Sequence, residues 1–422
     1  MKSIIAISFL ISTNLFGQII VPKDEYTFPK TEPLIAAIST SFIGTPNGTW
    51  LHVKIPLKRR DIKGVDDRVH FRYFKPKPKL DRKELIYILT GFGSTVKSDK
   101  ANFLAQKLAD DGFHSIVLPS IFSKRFIIGV SSEGVVGEFE KDAFDYLNLM
   151  KKTHQHIFQL YGVRFLKKHM IGYSYGGLTA AFVARIDQNK FFKLSREILI
   201  NPPTDLLKAA EVVDQFTARK HDIGLWQFTK ALAKAGYLKY RFQRYEPSIP
   251  IYKNYVRKLN FSPYQSEAMV GYALTESLPK VAESVQKVLL HDRGDLSGTA
   301  VMSGREIRDL TLNQYIRNIV LPFRIHNYDP SDTITKLGRR NSLYSLDSYF
   351  RTNNNVYLVH NKDDFLINKN DIKYFSKTFQ DRFVLFPWGG HLGNFWHYQN
   401  LNVVLAILKG NSLKDAITSE RF

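Results

Sequence analysis

The spacing of apolar positions changes its period several times along this chain. Trp50 to Pro56 (WLHVKIP) and Val69 to Phe74 (VHFRYF) alternate apolar and polar side chains, as half-buried strands do. Pro76-Lys77-Pro78 then breaks the chain, and from Glu84 to Pro202 short apolar runs alternate with longer helix-spaced segments. Leu85 to Leu89, His114 to Leu118, Phe165 to Ile171 and Ile198 to Ile200 are predicted strands. Between them, Lys100 to Asp111, Phe139 to Leu160 and Leu178 to Ile186 are predicted helices. Apolar strands separated by helices argue for a parallel sheet covered on both faces.

From about Asp205 to Phe350 the alternation stops and the chain is mainly helix-like. It returns at Asn355 to Val359, with a helix near Asp371 to Phe379, a strand at Phe383 to Leu385 and a last helix from about Leu401. The expected class is therefore α/β, with a mostly parallel central sheet and helices on both faces. Residues 18–204 and 351–422 form its core, and residues 205–350 are a large helical insertion, a cap or lid.

The first 17 residues have a different character. One Lys precedes an apolar run of about thirteen residues, Ile4 to Phe16, followed by the small Gly17. That is the layout of a secretory signal peptide, and it is short for a membrane span. The chain has no Cys, which removes disulfides, thiol nucleophiles and cysteine metal sites. Export without disulfides suits a bacterial periplasm or cell envelope, with secretion as the alternative. The formal net charge of +21 favours contact with an anionic envelope surface. Short clusters such as Lys58-Arg59-Arg60 are scattered along the chain, and no zinc-finger, basic-zipper or ribonucleoprotein pattern occurs, so nucleic acid is not an expected partner.

The sharpest chemical signal is Gly172-Tyr173-Ser174-Tyr175-Gly176-Gly177, set between a predicted strand and a predicted helix. A G-x-S-x-G run alone is weak. At a strand-to-helix junction it builds an elbow that lifts a serine hydroxyl above the sheet. The bland alternative is a glycine-rich turn that happens to contain Ser.

With this elbow the chain resembles the α/β-hydrolase superfamily, and other segments extend the resemblance. Thr90-Gly91-Phe92-Gly93 looks like the family's His-Gly-x-Gly loop, with Thr90 where His is usual. The resemblance implies an oxyanion hole from the amides of Phe92 and Tyr175. Pro387-Trp388-Gly389-Gly390-His391 resembles the loop that carries the family's catalytic His, and Asp364 fits the phase of the family's acid better than Asp363 does. Asp205 is a fallback acid. The interval from Asp364 to His391 is 27 residues, and the order Ser, Asp, His is the family's own.

The resemblance, together with the signal-like N-terminus, implies an exported serine hydrolase acting on a small-molecule or lipid ester, a carboxylesterase or lipase, with no cofactor and no metal. A serine peptidase or acyltransferase would use the same residues. A silent envelope-binding protein on a hydrolase scaffold is the rival from another class. Oligomeric state is not legible.

Overall fold

The computed structural model describes residues 17–44, 50–56, 59, 62, 68–188 and 190–419. The expected signal segment therefore lies outside the described residues, apart from Gly17. Among the described residues, nine strands make one sheet: β1 (Ile19–Ile20), β2 (Trp50–Pro56), β3 (Arg68–Phe74), β4 (Glu84–Leu89), β5 (His114–Leu118), β6 (Lys167–Tyr173), β7 (Arg196–Ile200), β8 (Val356–Asn361) and β9 (Phe383–Phe386). Their order is β1-β9-β8-β7-β6-β4-β5-β3-β2. Pairing is parallel from β1 through to β5. The edge pair departs from it, β3 running antiparallel to β5 and β2 antiparallel to β3.

The period of two decides which face each side chain enters. Leu85, Tyr87 and Leu89 of β4 point into a core shared with Met170, Leu199 and Leu358, beneath the helices Phe139–Tyr161 and Tyr175–Asp187. Ile86 and Ile88 point into a second core with Ile171, Ile198 and Val384, beneath the helices Asp99–Asp110 and Tyr398–Lys409. Both faces are covered, which is why β4 reads as an unbroken apolar run.

Register brings the carboxyl ends of the central strands level. Leu89 pairs with Gly172, Gly172 with Leu199, and Ile200 with Val359. The turns that follow β4, β6, β7, β8 and β9 consequently gather along one edge of the sheet. Open parallel sheets bind ligands at that edge.

Between β7 and β8 the described elements from Leu206 to Thr352 are helical apart from one isolated bridge, Asp205 with Ser342. Helix Leu206–Asp222 packs against Pro263–Thr275, next to the helix Gly224–Phe242. Leu206, Ala209 and Val213 of the first helix, and from Leu278 onward Leu278, Val281, Val285 and Val288, join the sheet core that contains Tyr87 and Tyr175. Arg59 closes this side. Its Nε donates to Asp292 at 2.7 Å, and its guanidinium also donates to the carbonyls of Ile127, Ile128, Ser131 and Ser132.

Candidate active site

Ser174 follows the last residue of β6 and has φ 55° and ψ −132°. A non-glycine residue held there stores about 1–3 kcal/mol of backbone strain. The turn is fixed from both sides, with the Ser174 amide donating to Ile200 O at 2.9 Å and Gly177 N donating to Ser174 O at 2.9 Å. The flanking glycines have no room for a side chain. A Cβ at position 172 would lie 2.2 Å from Gly176 O, and one at 176 would lie 2.3 Å from Leu89 O. The Ser174 hydroxyl makes no cap bond to its own helix, which leaves it free to face other groups.

The loop after β4 lies against this elbow, and a Cβ on Gly91 would sit 3.2 Å from the Ser174 Cβ. Ser94 N donates to Gly91 O at 3.1 Å, closing a turn whose third residue, Gly93, has φ +63°. Such a turn needs φ > 0 at that position, which explains the glycine. Phe92 is the turn's second residue, so its amide takes no part in the closing bond. Tyr175 is the first residue of its helix, and such amides have no acceptor within the helix. The two expected oxyanion donors thus flank Ser174, and their rings meet edge-on at 5.3 Å. Thr90 is buried and donates its hydroxyl to Leu118 O at 3.2 Å, a structural bond within the sheet edge.

His391 stands on the turn after β9. Its Nε2 is 2.8 Å from Ser174 Oγ, and its Nδ1 is 2.9 Å from Asp364 Oδ2. Asp364 is buried after β8, and its other oxygen accepts from the Leu366 amide at 3.0 Å. Burial pushes the Asp364 carboxyl up, but the charge and hydrogen bond of His391 outweigh it and leave the group below its ordinary range. The fold thus brings Ser174, His391 and Asp364 together.

Asp205 is elsewhere. Its carboxylate caps the helix Leu206–Asp222, accepting from Leu207 N at 2.7 Å and Lys208 N at 3.1 Å. Asp363 is not the solvated turn residue that its position suggests. It is half-buried, and its Oδ1 accepts from Gly390 N at 2.9 Å, next to His391. Burial raises its carboxyl, while the amides of Gly390 and Gly389 pull it back only in part.

Three asparagines complete the site, and none carries a local sequence signal. Asn201, past the end of β7, donates Nδ2 to Asp364 Oδ2 at 2.8 Å. Asn361 donates to Gly390 O at 2.8 Å and exchanges side-chain bonds of 2.8 Å with Asn394. The histidine turn is thereby fastened to the end of β8. Gly389 and Gly390 adopt φ 150° and 56°, and a Cβ on Gly390 would meet Pro33 O at 2.1 Å.

A strained serine elbow on a central parallel strand, with Asp and His on the turns after later strands, decides the architecture. The chain has the α/β-hydrolase fold. The sequence matches no protein-family model and no curated protein. Among solved structures, the chain is similar to Est1E from Butyrivibrio proteoclasticus, at 11% identity and a TM-score of 0.39, over 88% of this chain and 99% of that one. It is also similar to the thioesterase domain from the curacin biosynthetic pathway, at 11% identity and a TM-score of 0.38, over 86% and 100%. A membrane phospholipase A described as a bacterial virulence factor matches at 14% identity and a TM-score of 0.41, over 89% and 91%.

Ser174 and His391 open into a cavity of about 670 Å³. Its walls come from the Gly91–Ser94 turn, from helices Gly224–Phe242 and Pro263–Thr275 of the insertion, and from the segment around the helix Pro33–Ser39. Ile38, Leu232, Met269, Val270 and Leu392 supply apolar surface. Among the described residues, no group of three or more His, Asp or Glu is arranged to hold a metal ion, and no helix is long and apolar enough to cross a membrane.

Proposed function

We propose that this chain is a serine hydrolase that cleaves carboxylic esters through an acyl-enzyme on Ser174. The observation that carries this reading is the pair of contacts made by one imidazole, 2.8 Å to Ser174 Oγ and 2.9 Å to Asp364. In that geometry Asp364 accepts the Nδ1 proton, which leaves Nε2 as the base facing the hydroxyl. His391 takes the serine proton as Oγ attacks the ester carbonyl. The amides of Phe92 and Tyr175 stabilise the oxyanion, each contributing about 3 kcal/mol to lowering the barrier. His391 then protonates the departing alkoxide, and water repeats the sequence to release the acid.

The apolar wall of the cavity supports an ester with an apolar acyl chain, the carboxylesterase or lipase reading. A peptidase or acyltransferase would employ the same three side chains. A fluorophosphonate probe tests the core of the proposal, since it labels only an activated serine.

We further propose that the protein works at the bacterial envelope, in contact with an anionic lipid surface. Helix Gly224–Phe242, which walls the cavity, carries four basic and no acidic residues among its 19. Leu225, Trp226, Tyr237 and Tyr240 on it are 80%, 76%, 59% and 66% exposed. Trp226, Lys230, Ala233, Tyr237 and Tyr240 recur at helical spacing, which sets aromatic and basic groups on one exposed face. Such a face suits a headgroup layer.

A further inference from the structure

Charged side chains meet at one end of the catalytic cavity. Lys97, Asp99 and Lys100 reach it from the start of the helix Asp99–Asp110, Lys239 from the opposite wall, and Glu276 from an exposed position. Lys239 has a carboxylate partner, with its Nζ 2.9 Å from Asp99 Oδ2. Lys100 is placed differently. Its Nζ donates to the neutral hydroxyl of Thr40 at 3.3 Å. Burial, and then the charge of Lys239, pull its ammonium down to about 8, with Asp99 acting against them.

This is an expensive place for a cation. It is largely removed from water, its hydrogen-bonded partner is neutral, and a second ammonium stands nearby. It also occupies the first turn of a helix, where the macrodipole disfavours positive charge. A purely structural link to Thr40 would be served as well by a neutral donor. An anion bound at Lys100 would supply the counter-charge that Thr40 lacks and offset the repulsion of Lys239, whose own partner is Asp99.

We propose that Lys100, flanked by Lys97 and Lys239, receives an anionic group carried by the ester substrate away from its scissile carbonyl. The substrate class is then an anionic ester, bearing a phosphate or a carboxylate, with its acyl part on the apolar wall. This inference rests on the ester-hydrolase reading above and adds the charge of the substrate to it.

The test uses the full chain and three esters with one acyl group: an acylglycerol, the corresponding acylglycerol phosphate and the corresponding acylglycerate. At least one anionic ester should show a kcat/KM about tenfold or more above the neutral one, the size of one hydrogen bond to a charged group. Lys100→Met should abolish that ratio, and Lys100→Arg should keep most of it. Which anion is preferred separates the phosphate source from the carboxylate source. Inorganic phosphate should raise KM for the preferred ester in the unmodified protein, a measurement that stands even if Lys100→Met does not fold. Equal rates for all three esters, or a ratio that survives Lys100→Met, would overturn the inference and leave the serine hydrolase standing. No turnover of any ester and no labelling of Ser174 would overturn both.

Discussion

Asn201 donates its side-chain amide to the same Asp364 oxygen that accepts from His391, at 2.8 Å and 2.9 Å. Asn201 is itself at φ 47°, a conformation that Asn tolerates better than most residues. Its role is to position the acid. Asn201→Asp keeps the shape and sets a second carboxylate against the first. It should lower kcat by about tenfold or more while KM changes little, since the loss falls on the charge-assisted hydrogen bond. Equal losses in kcat for a variant and in its folded fraction by circular dichroism would mean a structural role only.

Asp363 and Asp364 are adjacent but differ in what they hold. Asp364→Asn should lower kcat by about a thousandfold or more, through the wrong histidine tautomer. Asp363→Asn keeps an oxygen that can accept from Gly390 N, so its kcat should fall less than about tenfold, whereas Asp363→Ala frees the histidine turn and should cost more. Steady-state kinetics on one ester distinguishes the three. A larger loss in Asp363→Asn than in Asp364→Asn would reverse the two roles.

Glu197 of β7 is buried with Tyr349, whose hydroxyl donates to it at 2.9 Å, and burial foremost pushes its carboxyl up to about 8. A carboxyl raised in the folded state binds more protons there than in the unfolded chain. Its contribution to stability is full below the unfolded value of about 4.3 and is lost as pH rises through about 8. Thermal melts should show that the protein loses stability between pH 5 and 8 more steeply, by about a kcal/mol or more, than Glu197→Gln does. Parallel curves for the two proteins would show that Glu197 is ionised in the fold.

Much of the architecture was legible because the strands from β4 to β9 are short apolar runs and β2 and β3 alternate apolar with polar positions. The predicted strand His114 to Leu118 is β5 without change, and Trp50 to Pro56 is β2. Other boundaries moved for local reasons. The helix after Ser174 begins at Tyr175, three residues before the apolar pattern does, since Gly176 and Gly177 are needed for close approach and carry no helix signal. The strand predicted from Phe165 starts at Lys167, because the exposed Leu166 lies outside the ladder. β1 has two residues and offers no period to detect. At the site, the serine, histidine and acid stand in motifs, whereas Asn201, Asn361 and Asn394 act through partners between 29 and 368 residues away. Only the folded chain reveals such contacts.

The exposed face of helix Gly224–Phe242 makes a prediction about membranes. The full chain should float with vesicles containing anionic lipid and not with zwitterionic ones, and high salt should release it. Replacing both Leu225 and Trp226 by Ala should weaken that binding by roughly tenfold or more, as two inserted apolar groups are lost. Equal flotation on both vesicle types, or a double variant that binds as before, would contradict the contact. A change of oligomeric state in the double variant would assign the face to a second copy of the chain instead.

The central claim is that Ser174 is an activated nucleophile. Labelling with a fluorophosphonate, followed by mass spectrometry of the labelled peptide, measures this directly. The adduct should fall on Ser174 alone, disappear in Ser174→Ala and fade strongly in His391→Ala. Ester turnover in Ser174→Ala should fall by about a thousandfold or more, with only oxyanion and binding effects remaining. An adduct on another residue, or normal turnover by folded Ser174→Ala, would contradict the account.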